Sequence, residues 1–346
     1  MITYRYLLII LLFAMQSFHY NSATSHTKGK SVPDIVVMFF VLGLVAGLLR
    51  SDLKIPQATY ETLSLLLMLT IGLKGGMVLH GNLSWQLLPE MGSVMLLGAF
   101  IPLMLYPVLK YVVKLSVANS ASIAAHYGSV SAGTFAVALA YAESSQLIVG
   151  AEVTLYLVML ELPAIIVGLL LYRRLDKENN STRTLSLKTL WHETLTNKSI
   201  ILLVGGVIIG MLYGTQQGSQ VTNLLTSSFK VVLALFLLEM GLTAAKTLRP
   251  IPWHHWRVAL FALITPLFLG VIGVTVGTAL KLELGSVVVL ASLVASASYI
   301  AAPAAIKAAI PKADIGLAML SSLGITFAFN VTVGIGLYHQ LAVAIQ

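Results

Sequence analysis

Two short stretches of the chain gather hydroxyls and small residues in a pattern that suits binding rather than bond-breaking. The first reads Ser129, Val130, Ser131, Ala132, Gly133, Thr134, and the second Ser296, Ala297, Ser298, Tyr299, Ile300, Ala301, Ala302, Pro303. Each lies inside a long apolar run. Proline cannot donate the helical ladder bond, and Gly and Ser tolerate an unwound backbone, so both stretches are expected to interrupt a helix. The other reading is a small-residue face that lets helices approach closely. A helix that restarts inside a membrane points free N–H groups and a partial positive charge at whatever precedes it. The expected restarts are near 131–134 and 301–303, where Pro303 suits a first turn. Ser129, Ser131, Gly133, Thr134, Ser296, Ser298, Ala301 and Ala302 would then enclose a small anion without any buried arginine.

Charged residues inside apolar runs cost about 2.5–3.5 kcal/mol each, so those present call for a reason. Glu161, just before Pro163, is expected to be a cation or proton site, with an internal ion pair as the alternative. Ser131, Thr134 and Ser298 would add hard oxygen ligands for a coupling ion. Lys74 either compensates the substrate's charge in place of that ion or pairs with a glutamate. Glu239 reads as structural, and Lys230 as snorkelling from the end of its segment.

Other candidates carry less. Trp253, His254, His255 and Trp256 could bind a metal but read as an interfacial aromatic anchor. His126 reads as making a helix-end hydrogen bond. His192 and Glu193 lack the second histidine of a zinc-protease helix, and Gly128 to Ala132 is not a hydrolase nucleophile elbow. The glycosylation pattern Asn82, Leu83, Ser84 falls in a connection. With no cysteine, disulfides and thiolate-ligated metals are excluded. Neither a cofactor nor nucleic acid is expected.

The elements that position these residues follow from composition. The chain is 58% hydrophobic and only 10% charged, too few charges to clothe a soluble surface. Ten segments are near the 20 apolar residues that cross a bilayer: 32–49, 58–77, 87–109, 120–141, 149–172, 200–213, 226–245, 258–280, 286–308 and 315–341. The chain also repeats itself. Gly72 and Leu73 are echoed by Gly241 and Leu242, Pro102 by Pro266, and Ser129 to Gly133 by Ser296 to Ile300. Five crossings per copy is odd, so the copies are inverted. The expected fold is an all-α integral membrane protein of ten transmembrane helices in two inverted five-helix repeats, with the fourth and ninth helices broken.

Residues 31–172 form the first repeat, 173–198 a basic connection and 199–346 the second repeat. Residues 1–30 read as a signal peptide and short external segment, with an uncleaved extra helix as the alternative. Fifteen basic residues fall on one side: Arg50, Lys54, Lys110, Lys114, Arg173, Arg174, Lys177, Arg183, Lys188, Lys198, Lys246, Arg249, Arg257, Lys307 and Lys312. Only Lys28, Lys30 and Lys281 fall on the other. The formal charge of +8 thus reads as a topology signal, with the basic side cytoplasmic and both mature termini external. The basic connection is a topology determinant and a candidate docking surface for a cytoplasmic regulator.

Together, Leu53 to Pro56, Ile71 to Leu73 with Gly75 and Gly76, Gly128 to Thr134, Glu161 to Ala164, Met240 and Gly241, Ser296 to Pro303, and Ala309 to Pro311 resemble the sodium-dependent bicarbonate transporter family. The resemblance runs over 50–172 and 230–338 with the motifs in order. It implies a homotrimeric plasma-membrane carrier that binds bicarbonate between two broken helices with sodium beside it, and that a cytoplasmic PII-like protein can inhibit. Three positions depart from the family pattern: Tyr299 stands where an aspartate is usual, Ala132 and Gly133 where Gly-Ser is usual, and Lys74 where a small hydroxyl residue is usual. The expectation is a secondary transporter, not an enzyme, for uptake of a small inorganic anion, most simply sodium–bicarbonate symport. A proton-coupled or uncoupled carrier of another anion is the alternative, and a polytopic membrane enzyme or sensor a remote one.

Overall fold

The computed structural model describes residues 34–81, 85, 87–150, 152–176, 196, 198–248 and 255–346. The expected leader, the Asn82 acceptor pattern, most of the basic connection, Trp253 and His254 lie outside the described residues. Among the described residues every regular element is helical.

The first half comprises α1 (Ile35–Leu48), α2 (Gln57–Leu79), α3 (Leu87–Pro107, running on in a wide turn to Val112), α4 (Val117–Gly128), α5 (Ala132–Ser144) and α6 (Val153–Leu175). The second comprises α7 (Lys198–Ser227), α8 (Phe229–Thr247), α9 (Trp256–Ala279), α10 (Leu284–Val294), α11 (Ala301–Ala309), α12 (Ile315–Met319) and α13 (Ile335–Ile345). Among the described residues seven stretches are long and apolar enough to cross a membrane: Gln57–Leu79, Leu87–Val112, Val117–Ser144, Val153–Leu175, Ile200–Thr247, Trp256–Ala279 and Ile315–Ile345. Ile35–Leu48 and Leu284–Val294 are shorter apolar helices. Large apolar side chains such as Leu96, Phe100, Ile264 and Phe268 stand exposed along these helices, a surface that needs a lipid rather than an aqueous neighbour.

Local chemistry sets the helix boundaries. Asp34 caps α1 by accepting the Val36 N–H at 2.8 Å. Pro102, Pro163 and Pro266 sit inside α3, α6 and α9. Two elements differ from the sequence expectation. The sixth segment was expected to end at 213, but Gly214, at φ 61°, kinks the helix and α7 resumes to Ser227. Thr222 and Ser227 hydroxyls fold back onto the carbonyls four residues earlier, at 2.8 and 2.7 Å, so this polar stretch satisfies itself while helical. The tenth segment is not one regular helix. Between α12 and α13 it runs through wide turns at Leu320–Phe327 and Asn330–Gly334.

The helices pack in matched pairs: α2 lies against α7 and α1 against α8, α3 against α6, and α9 against the last segment. The glycines that echo one another in sequence make the first two pairings. A Cβ at Gly72 would strike the Leu203 carbonyl of α7, and one at Gly241 the Phe40 carbonyl of α1. Close backbone approach through small residues is how helices associate where burial from water offers no driving force. A side chain at either glycine would wedge two backbones apart, and overpacking of this kind typically costs about 1–3 kcal/mol. Gly241→Val is therefore expected to lower the melting temperature of the detergent-solubilised protein by several degrees. Gly205→Ala, whose Cβ meets nothing within 4 Å, is the control, and equal melting of the two variants would refute this account of the pairing.

Candidate functional site

Both expected interruptions are present. α4 stops at Gly128 and α5 starts at Ala132; α10 stops at Val294 and α11 starts at Ala301. At the first break Val130 adopts φ 43°, the left-handed region that a β-branched residue ordinarily avoids. The strain is borne where the backbone must reverse its hydrogen-bonding direction within three residues.

The two breaks hold each other open. The Ser131 N–H donates to Ser296 Oγ at 2.7 Å, and the Ser298 N–H donates to the His126 carbonyl at 2.7 Å. That carbonyl is one of those left without a partner where α4 ends, so the second break satisfies the first. Each restart has a serine at its mouth. Ser131 Oγ caps α5 by accepting the Thr134 N–H at 3.0 Å, and Ser298 Oγ accepts the Ala302 N–H of α11 at 3.2 Å. The end of α10 is closed from elsewhere: Asn330 Nδ2 donates to the Ala295 carbonyl at 2.9 Å, and Asn330 Oδ1 accepts from the Tyr338 hydroxyl at 2.7 Å.

Between the breaks lies a small pocket lined by Met68 of α2, Val130, Ser131 and Ala132, Leu157 and Glu161 of α6, and Ser298, Tyr299, Ile300 and Ala301. Of the residues singled out in the sequence, the fold brings Ser131, Ser298, Ala301 and Glu161 to this one wall. Ser129, Gly133, Thr134, Ser296 and Ala302 stand immediately behind it, all buried. The Ser129 and Thr134 hydroxyls have no hydrogen-bond partner among the described residues. Ser296 is committed to the crossing between the breaks. Glu161 is only 5% exposed, and no described residue gives its carboxylate a hydrogen bond or a countercharge. A bare buried carboxylate is among the costliest groups a fold can carry.

Lys74 lies off this wall. Its ammonium pairs with Glu143 at the end of α5 at 2.6 Å and sits 4.7 Å from the centre of the Phe229 ring. Of its two sequence readings the geometry shows the glutamate pair, joining α2 to the second half of the broken helix. Glu239 is buried and takes a hydrogen bond from Thr243 at 3.0 Å. Lys230 donates to Ser144 at 3.0 Å. The His126 ring nitrogen Nδ1 lies 2.7 Å from the Ser122 carbonyl one turn back, the helix-end bond expected of it. Among the described residues no three His, Asp or Glu side chains gather as a metal site.

Sequence reasoning missed the apolar wall, Met68, Leu157 and Ile300, and the capping role of Asn330. It reached Tyr299 only as a departure from a pattern. The density of Ser, Gly and Pro marked where the helices break, but nothing local marks which distant side chains close around the breaks.

Comparison with curated proteins gives no match. A family description does match, over residues 35–343, from the first residue of α1 nearly to the end of α13. With its two mutually held breaks and a carboxylate facing the pocket between them, this all-helical chain belongs to the Na+-dependent bicarbonate transporter superfamily.

Proposed function

We propose that the chain is a secondary transporter that takes up bicarbonate with sodium across a plasma membrane, using the pocket between the two breaks. The observation that carries this reading is the pairing of opposite needs on one small wall. Two serine-capped helix starts, at Ser131 and Ser298, favour an anion, and an unpartnered Glu161 favours a cation. A site that lacks charge balance on both counts is completed by an ion pair. Bicarbonate and sodium together supply it. Ser131, Ser298 and the first turns of α5 and α11, including Ala301 and Ala302, are the anion side. Glu161 with the hydroxyls of Ser131, Thr134 and Ser298 is the cation side.

The helix pairings support the inverted five-helix repeat, because the main ones come in related pairs: α2 with α7 and α8 with α1, α3 with α4 and α9 with α10. Links between connections support the topology. On the basic side Lys198 pairs with Glu61 at 3.7 Å, and the Asp314 N–H donates to Asn119. On the other side Ser144 donates to Asp34, the Gly150 N–H to Ser286, and the Gln346 side chain to the Leu282 carbonyl. The chain's end thus shares a face with Lys281 rather than with the basic connections, which fits an external C-terminus. A homotrimer and a PII-like regulator rest on the resemblance alone.

The test is uptake of labelled bicarbonate into proteoliposomes holding the purified protein, under an inward sodium gradient. Accumulation at least tenfold above protein-free vesicles is expected, and competition by unlabelled bicarbonate but not chloride. Accumulation no greater than in empty vesicles would remove bicarbonate as the substrate.

A further inference from the structure

Besides Glu161, Tyr299 is the described member of the pocket wall whose side-chain polar atom has no evident task in holding the fold. The residue is 6% exposed, and its hydroxyl has no hydrogen-bond partner among the described residues. The ring packs edge-on against Phe327, centroid to centroid 5.1 Å, which fixes the direction of the hydroxyl. It is aimed at the start of α5: the phenolic oxygen takes up the space a Cβ at Gly133 would fill, within the first turn of that helix. The Ser131 hydroxyl lies beside it and caps Thr134 with one lone pair, but the phenol and this hydroxyl do not meet in hydrogen-bond geometry.

A buried O–H donor without an acceptor costs free energy that nothing in the fold returns. Its cost is recovered if an acceptor arrives, and Tyr299 lines the pocket where the helix starts already favour negative charge. A phenol cannot take part as a cation ligand with a formal negative charge, whereas it donates well to an oxyanion.

We infer that Tyr299 is a specificity-determining residue of the anion site, its hydroxyl donating a hydrogen bond to an oxygen of the bound oxyanion. This rests on the pocket being the substrate site, and it assigns the tyrosine to recognition rather than to coupling. The absence of a side chain at Gly133 is what gives the phenol its place.

The experiment is equilibrium titration of the purified full chain in detergent, at fixed sodium, with bicarbonate, formate, nitrite and chloride, for wild type and Tyr299→Phe. A hydrogen bond to a charged group corresponds to about tenfold to a hundredfold in affinity. The variant is expected to bind bicarbonate weaker by that factor. Its ligand-free melting temperature should be unchanged or raised, because the ring and its Phe327 contact remain and the unpaired hydroxyl is gone. Chloride also accepts hydrogen bonds, so weaker chloride binding by the variant would extend the donor role to halides, and equal chloride binding would confine it to oxyanions. Equal bicarbonate affinity in both proteins overturns the inference while leaving bicarbonate transport standing. If wild type binds formate or nitrite but not bicarbonate, the proposed substrate falls and the tyrosine is still judged on the anion that binds. Binding of none of the oxyanions overturns both. Should Tyr299→Phe fail to accumulate, Gly133→Ala, whose Cβ displaces the hydroxyl, is expected to weaken binding equally, and undiminished affinity there would count against the inference.

Discussion

Replacing either Ser131 or Ser298 by leucine is expected to abolish bicarbonate uptake, to below a tenth of wild type, while the protein still accumulates in the membrane. The two serines occupy corresponding places on the two breaks, and each caps the restart of its helix from the pocket wall. Leucine there does three things. It removes a cap, at about 1 kcal/mol. It forces a branched side chain into a close-packed interior, at about 1–3 kcal/mol. It also fills the pocket in front of the helix start with hydrocarbon. The first two sums are small against the roughly 5–15 kcal/mol by which folded domains are stable, so the protein survives. The third removes the space and polarity an anion needs, which no residual stability restores. Ser131→Ala separates the effects, since it keeps the space and loses only the hydroxyl, as cap and as one of the proposed cation ligands, and should retain measurable uptake. Wild-type transport by both leucine variants at wild-type abundance would show that the anion does not pass between the breaks.

How far this site could be read from residue order alone depends on how local each feature is. The breaks at 129–131 and 295–300 were legible because a helix interruption is a local event, written in serines, glycine and proline at the interruption itself. The echo of Gly72 in Gly241 was legible as a repeat, but its physical reason, the approach of one backbone to another at Leu203 and Phe40, is set by partner helices far along the chain. Asn330 closes α10 across 35 positions of sequence, from a wide-turned segment that reads in sequence as one apolar helix. Lys74 finds Glu143 across 69 positions. Its two readings could not be separated in sequence, because which carboxylate it meets depends on how α5 leaves the break. Apolar wall residues such as Met68 and Leu157 look like any other lipid-facing or core residue until the packing is known.

Glu161→Gln is expected to abolish the sodium dependence of uptake and to reduce uptake under an inward sodium gradient at least tenfold. The reasoning begins with charge. Carrying one bicarbonate into an inside-negative compartment costs about 2.3 kcal/mol per 100 mV, and each tenfold of accumulation adds about 1.4 kcal/mol. A single sodium travelling with the anion cancels the electrical term and contributes its own gradient. The proposed symport needs a place where that sodium is required for the anion to bind, and Glu161 is the proposed one. It is buried nine residues into a 23-residue helix, faces the pocket, and has no countercharge among the described residues. Ionised and alone it would repel the anion that the helix starts attract; neutralised by sodium it would not. The binding of one ion would therefore favour the other, a coupling free energy that acts reciprocally. Lys74 does not substitute for the cation, since its ammonium is held by Glu143 away from the pocket wall. Glutamine removes the repulsion and the cation ligand together. The variant should bind bicarbonate with an affinity indifferent to sodium, and should no longer concentrate it against a gradient. A proton would satisfy the same carboxylate, and the two cations are told apart by replacing sodium with choline while imposing an inward proton gradient. Wild-type uptake that collapses in choline and is not restored by the proton gradient assigns the site to sodium. Undiminished uptake in choline, with the Glu161→Gln variant behaving as wild type, would show that this carboxylate is structural and that the anion moves without sodium.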